Sequence, residues 1–572
     1  MALAHPILFC LPRLSPKQIM VPAKLESQPP SLRSTCRFLG AVSSTTTQFS
    51  ISHHPKDERP SVNYQPSIWS YDFLQSLNND RADIIYKERA AKLEEELRCG
   101  MNDENADPLN LLQLIDDIQR LGLEHRFEMD INRALAKFVS GVATENTIGL
   151  HAVALRFRLL RQYGYDISQD VFKGFMDGKG NFKECLCEDV KAMLSLYEAS
   201  LLRFEGEDVM DEALVFTRMH LKGISEEEKD LTQQVTRALD LPLHRKLLRL
   251  ETRRYIEDYG ERDNAKLNLL ELAKVDFNMV QSTLQEDLKE MSRWWMDMGM
   301  ASKLNFARDR LTECFFWTVG VVSQPQFRHC RKSFTDAVQR WDLGAVENLP
   351  DYMELCFLAL YNSINEMAYE TLRDQGQNIL PYLRKAWADL CKAFLKEANW
   401  AHSKHIPTFQ EYLENAWLPV SGHLCLVHTY FLQRANITIE ALHSLEHYHD
   451  VIRWPSIIFR LCNDLGTAKD ELERGKSVNA IICYMNETGC SEAMARQHIS
   501  DLIEDYWQKL NKCYVDGSPF SKHYIETAIN LARISQCIYQ HGDAHGSPDN
   551  LFKNQARLLI VEPISINKNV IS

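Results

Sequence analysis

The sequence predicts an all-α protein of two helical domains behind an N-terminal targeting segment. Three observations carry this. Apolar residues recur at spacings of three and four along most of the chain, and period-two alternation is absent over any useful length. The 572 residues also exceed what one hydrophobic core organises.

Residues 1–56 hold one acid, Glu26, against Arg13, Lys17, Lys24, Arg33, Arg37 and Lys56, and include the hydroxyl run Ser43, Ser44, Thr45, Thr46, Thr47. Scarce acids with scattered bases and hydroxyls make the composition of a transit peptide; a disordered tail without an address is the alternative. The first reading expects a chloroplast or plastid stroma destination and a mature chain beginning near Arg59.

From Ile68 onward the helical pattern is almost unbroken. Leu194, Tyr197, Leu201 and Phe204 fall on one helix face, as do Met353, Phe357, Leu360, Ile364 and Met367. Pro350 followed by Asp351 and Glu354 has the chemistry of a first helical turn. Breaking signals near Pro242 and the charged stretch 257–262 place a boundary between residues 240 and 265, so the chain divides as 57–250 and 251–572. No Gly-rich or Pro-rich linker separates the two, which predicts close packing.

Composition removes several function classes. No apolar run is long enough to cross a bilayer, which argues against a membrane span. The formal net charge of −13 argues against a protein that coats nucleic acid, but leaves a small, metal-neutralised anion as an acceptable ligand. The 15 cysteines show no Cys-x-x-Cys spacing and are read as reduced thiols.

The most informative segment runs from Arg460 through Asn463, Asp464 and Thr467 to Glu471, on a helix expected to open near Pro455. At 100° per residue, Asn463, Thr467 and Glu471 fall within an arc of about 80° and rise about 12 Å along the axis. An amide oxygen, a hydroxyl and a carboxylate are hard ligands suited to Mg²⁺, with Mn²⁺ an acceptable substitute, leaving further positions for phosphate oxygens and water. Arg460, one turn earlier, could grip a phosphate. Spacing alone also describes an ordinary polar stripe, and does not separate the two readings.

Around this segment stand Arg308-Asp309-Arg310, Arg293-Trp294-Trp295, the stretch from Phe334 to Trp341 and Asp342, and Tyr539 followed by Gly542, Asp543 and His545. From about Arg59 to Ile564 the chain resembles plant class I terpene synthases of the monoterpene type, and Asn463-Asp464 with Thr467 and Glu471 is similar to their second metal motif.

The resemblance implies an N-terminal α-barrel-like domain without an active site of its own, and a C-terminal helical domain whose cavity binds a prenyl diphosphate. It implies that Arg308 and Arg310 bind diphosphate, that Tyr539 and Asp543 belong to a closing cap, and that the protein is a monomer or weak homodimer. An allylic diphosphate leaves when its charge is neutralised, and the cation left behind is sheltered in an apolar, aromatic cavity. Trp294, Trp295 and Trp317 could offer π faces worth roughly 2 kcal/mol to a desolvated cation, although any single one of them is more often simply a core tryptophan.

Two departures stand out. The family carries an Asp-Asp-x-x-Asp cluster on a helix opposite the first motif, and the only Asp-Asp pair here is Asp116-Asp117, in the N-terminal domain. The stretches that flank the cluster in the family meet directly at Ser333 and Phe334, an omission of roughly two dozen residues, or about 36 Å of helix. Asp336 and Asp342 have no metal spacing of their own. The expectation is impaired ionisation and reduced stability.

The family's tandem arginines are also reduced to Arg59-Pro60 ahead of Trp69, which tilts the expected product toward an acyclic monoterpene made from geranyl diphosphate. Release of isoprene from dimethylallyl diphosphate is the alternative within the family. A non-catalytic protein that binds a prenyl diphosphate or a partner synthase is the alternative outside it.

Overall fold

The computed structural model describes residues 67–77, 84–101, 107–140, 149–222, 229–298, 309–322, 351–434, 436–473 and 478–566. Among these the chain is helical throughout, and the only β pairing is a bridge between Met176 and Phe182. The predicted all-α class is what forms.

The N-terminal half contains α1 (Ile84–Met101), α2 (Pro108–Arg120), α3 (Glu124–Ser140), α4 (Leu150–Gln162), α5 (Val190–Ser200), α6 (Asp208–Leu221) and α7 (Leu248–Gly260). Local chemistry sets their starts. Asp107 accepts from the Asn110 amide with Pro108 in the first turn of α2, and Asp189 accepts from Ala192 at the start of α5.

The stripe read through Leu194, Tyr197, Leu201 and Phe204 outlasts its helix: Leu201 caps α5, and Phe204 lies in the following turn. The Phe204 amide gives its hydrogen bond to the Glu207 carboxylate at 2.8 Å, so the backbone has a partner outside the helix.

Helix α8 (Leu267–Met298), 32 residues long, joins the two halves. Its first part, including Leu269, Leu272 and Phe277, packs in one core with Ile115 and Ile118 of α2 and Phe127 of α3. Its second part, from Val280 to Trp295, packs in the C-terminal core. The segment around Trp69 and Leu74 folds onto that second part, where Gln75 Nε2 donates to Lys289 O at 2.9 Å and to Ser292 Oγ at 2.7 Å.

The C-terminal half adds α9 (Leu311–Val321), α10 (Asp351–Gln375), α11 (Leu380–Ser403), α12 (Phe409–Ala416), α13 (Gly422–Leu432), α14 (Asp450–Glu473), α15 (Ala480–Thr488), α16 (Glu492–Val515) and α17 (Lys522–Tyr539). Of the apolar face predicted for α10, Leu360, Ile364 and Met367 are buried, and the side chains of Met353 and Phe357 lie outside the described ones. Thr408 and Glu411 close a reciprocal capping box on α12. Helix α14 packs against both α16 and α17 and so runs through the centre of this half.

It begins a turn earlier than Pro455 predicts, at Asp450, with the Ile452 and Arg453 amides donating to His449 O. Pro455 therefore lies inside the helix and withholds one backbone donor, a local cost that burial of the surrounding helix offsets.

Buried polar groups bind the halves together. Arg533 Nε donates to His244 O at 2.8 Å, and Asn511 Nδ2 donates to Leu201 O at 3.0 Å. Arg245, almost fully buried, donates through Nη2 to Glu504 Oε2 at 2.7 Å. Burial alone would raise the Glu504 carboxyl, but the Arg245 charge and hydrogen bond outweigh it and bring the pKa down to about 2.

A depressed carboxylate stabilises the fold above its unfolded pKa of about 4.3, and that contribution fades as pH falls toward the folded value. Glu504→Gln is therefore expected to cost about 2 kcal/mol near neutral pH, less than for a fully buried pair because the glutamate side chain keeps 24% exposure. The gap between wild type and variant in a melting series should close as pH is lowered from about 4.5 toward 2.5. A constant gap would show that the charge is not what matters.

Candidate active site

Helix α14 carries the polar stripe into an apolar core. Pro455 to Asp464 are buried without a break, and Ile457, Ile458, Phe459, Leu461 and Cys462 supply its apolar flanks. A helix buried all round must satisfy its polar side chains inside the protein. Arg460, Asn463, Asp464, Thr467 and Glu471 are all at most 5% exposed.

They do not behave alike. Asp464 Oδ2 accepts from the Tyr412 hydroxyl at 2.6 Å and from the Ala480 amide at 2.9 Å, while Oδ1 faces Arg460 Nε at 3.0 Å. It stitches α14 to α12 and α15. Burial pushes its carboxyl up to about 6 even beside Arg460.

Asn463 points about 100° away from Asp464, and neither its oxygen nor its nitrogen has a hydrogen-bond partner among the described residues. The Tyr539 phenol lies close enough to influence this amide, without the geometry of a hydrogen bond. Thr467 Oγ1 and Arg460 Nη1 are likewise without partners. Glu471 shares the stripe and is buried with it.

Each unsatisfied buried polar group costs about 1–3 kcal/mol, so three on one helix face signal a ligand that brings its own partners. The donor set is two neutral oxygens and a carboxylate with a guanidinium one turn away, which fits a hard divalent cation carrying an anionic ligand.

Aromatic side chains gather beside this stripe. Every residue of α9 is buried, and the Trp317 ring lies 4.9 Å from Phe459, 6.1 Å from Tyr539 and 6.3 Å from His545. Phe459 stands one turn before Asn463 on α14, so the aromatic patch adjoins the polar stripe. Trp294 pairs instead with Trp295, at 6.0 Å between ring centroids on α8.

The turn after α17 completes the surroundings. Asp543 Oδ1 accepts from the Gly546 amide at 2.7 Å, and Arg310, buried at the start of α9, donates through Nη2 to Gly546 O at 3.4 Å. Asp543 thus shapes the turn, and Arg310 ties it to α9. Glu313, one turn further along α9, is raised by burial to about 7.

Arg308, Asp336, Asp342 and the junction of Ser333 with Phe334 lie outside the described residues. The Asp116-Asp117 pair sits in α2 among arginines. Asp116 pairs with Arg120 at 2.8 Å and with Arg158, which bring it to about 2 against the upward push of burial, and Asp117 accepts from the Tyr255 hydroxyl at 2.7 Å.

Phe459, Tyr412 and Glu313 escaped the sequence reading. Phe459 was findable, since an aromatic four residues before Asn463 shares its face; Tyr412 was not, being 52 residues from Asp464 with no local spacing to link them.

A Cβ at Gly466 would meet Tyr539 Cβ and O at 3.0 Å and Gly542 O at 3.2 Å, so the glycine lets the end of α17 lie against the stripe. Gly466→Val should destabilise the fold by about 1–3 kcal/mol and weaken Trp317–Tyr539 packing, read as a lower melting temperature and altered near-ultraviolet dichroism. An unchanged melting temperature would mean the approach is looser than described.

The chain is similar over most of its length to known proteins. Residues 68–239 match the terpene synthase N-terminal domain, and residues 296–335 and 331–509 match the terpene synthase metal binding domain in two stretches that meet where the junction lies. A probable terpene synthase of Ricinus communis is 52% identical over 90% of this chain and 92% of its own length. A chloroplastic tricyclene synthase of Medicago truncatula is 51% identical, over 89% and 93%.

A chloroplastic isoprene synthase of Populus tremuloides is 49% identical over 574 aligned positions, covering 95% and 96%. Those positions exceed the residues this chain supplies, so part of the alignment is gap on its side.

Among solved structures, isoprene synthase of Populus x canescens, in complex with three Mg²⁺ ions and dimethylallyl-S-thiolodiphosphate, superposes with TM-score 0.80 at 51% identity, over 87% of this chain and 99% of that one. Limonene synthase with 2-fluorolinalyl diphosphate gives 0.84 at 36%, over 88% and 99%.

Proposed function

We propose, from the premise that the chain belongs to the terpene synthase family, that its C-terminal domain holds Mg²⁺ through Asn463, Thr467 and Glu471 and acts on a prenyl diphosphate. The observation that carries this reading is the set of unsatisfied buried groups on Asn463, Thr467 and Arg460. When bound, the metal neutralises the departing diphosphate.

The chain's own residues divide the remaining work. Arg460, with Arg308 and Arg310, takes phosphate oxygens and orients the leaving group. Trp317, Phe459 and Tyr539 exclude water from the allylic portion and present π faces to the cation it leaves. Asp543 keeps the turn beside Arg310 in place.

Geranyl diphosphate going to an acyclic or simple monoterpene is the preferred substrate and product. The reduction of the arginine pair to Arg59-Pro60 supports it. Isoprene release from dimethylallyl diphosphate is the second reading, favoured by the isoprene synthases among the relatives. The chloroplastic relatives support reading residues 1–56 as a plastid address.

The absent Asp-rich cluster, supported by the broken family match and the alignment gap, implies that ionisation is slow in the chain as written. With Mg²⁺ and geranyl diphosphate, turnover should fall at least about a hundredfold below that of a chain given a relative's segment between Ser333 and Phe334. Equal turnover would overturn the impairment. Headspace analysis of the restored chain fed each diphosphate separates the two substrate readings, and a cyclic monoterpene would overturn the acyclic one.

A further inference from the structure

We infer that Tyr412 is a positioning residue for the diphosphate-facing guanidinium of Arg460, a role that rests on the function proposed above. Arg460 Nε donates to the Tyr412 hydroxyl at 2.7 Å, and that hydroxyl donates in turn to Asp464 Oδ2 at 2.6 Å. Asp464 is itself fixed by the Ala480 amide at 2.9 Å.

The neutral phenol thus bridges a guanidinium and a carboxylate that also meet directly, Nε to Oδ1, at 3.0 Å, all three residues at most 3% exposed. An Arg–Asp pair of this kind, left to itself, closes as a bidentate fork that spends two N–H groups on the acid. Here only Nε meets the acid, lying 3.0 Å from Asp464 Oδ1 while it donates to the phenol; Nη2 faces Glu397 at a loose 3.7 Å, and Nη1 keeps no partner among the described residues.

A charged donor held buried and unsatisfied is costly, and three elements fix it in that state: α12 through Tyr412, α14 through Asp464 and α15 through Ala480. The arrangement reserves Nη1 for an anion on the Asn463 face. Tyr412 touches neither metal nor substrate and acts only through Arg460.

The test is calorimetric titration of the full chain with inorganic pyrophosphate in the presence of Mg²⁺. Tyr412→Phe should weaken binding about tenfold, the worth of one hydrogen bond to a charged group. In an Arg460→Lys background, which keeps a cation but has no Nε to give the phenol, Tyr412→Phe should bring no further loss.

An equal loss in both backgrounds, or none in either, overturns the inference. Should Tyr412→Phe fail to fold, Asp464→Asn takes its place in the same cycle, since it keeps an acceptor for Ala480 and removes the charge; there too an effect that persists without Arg460 is contrary. Asn463→Ala separates the levels. Loss of binding there with Tyr412→Phe silent sinks the positioning role alone, whereas no Mg²⁺-dependent pyrophosphate heat in wild type sinks both.

Discussion

A buried polar stripe on the central helix of the C-terminal half is the constraint from which the rest of the structure follows. Helix α14 packs against both α16 and α17 and is buried without a break from Pro455 to Asp464, so the polar residues of its central stretch have no access to bulk water. The protein answers in two ways on adjacent faces. Asp464 Oδ2 is engaged by Tyr412 and Ala480, its Oδ1 faces Arg460 as an ion pair, and the residue fastens the helix to its neighbours. Asn463 and Thr467, turned away from that network, are left unsatisfied. A fold that ties one acid to three neighbours while leaving the residue beside it bare has reserved the second face for something that arrives from outside.

The same logic explains the surroundings. Gly466 admits the end of α17, which brings Tyr539 beside Trp317 and Phe459, so an anion-binding stripe and an aromatic wall share a border. Chemistry that separates an anion from a carbocation needs that border: charge is neutralised on one side while the other offers polarisable, water-free surface. Farther out, α8 spans both halves, and buried ties such as Arg533 to His244 fix the N-terminal half against the helices that carry the site.

Much of this was legible in the sequence. Helical periodicity carries the class, and the spacing of Asn463, Thr467 and Glu471 places them on a shared helix face. What spacing could not supply was contact between distant segments. Nothing local links Tyr412 to Arg460, or Trp69 to the C-terminal core, because those meetings depend on how helices pack. Pro455 misled for a different reason: a proline is tolerated within a helix when burial outweighs one missing backbone bond, so its preference for first turns did not decide where α14 starts. Trp294 and Trp317 looked equivalent as aromatic candidates. Packing separates them, since Trp317 adjoins the stripe and Trp294 pairs with Trp295.

The claim that Asn463, Thr467 and Glu471 together grip a divalent cation is tested most directly by anomalous diffraction from crystals soaked in Mn²⁺ and pyrophosphate. The expected result is a manganese peak about 2.1 Å from Asn463 Oδ1 and Thr467 Oγ1, with a Glu471 carboxylate oxygen completing the protein's share. Pyrophosphate bound with manganese elsewhere, and those side chains still bare, would contradict it.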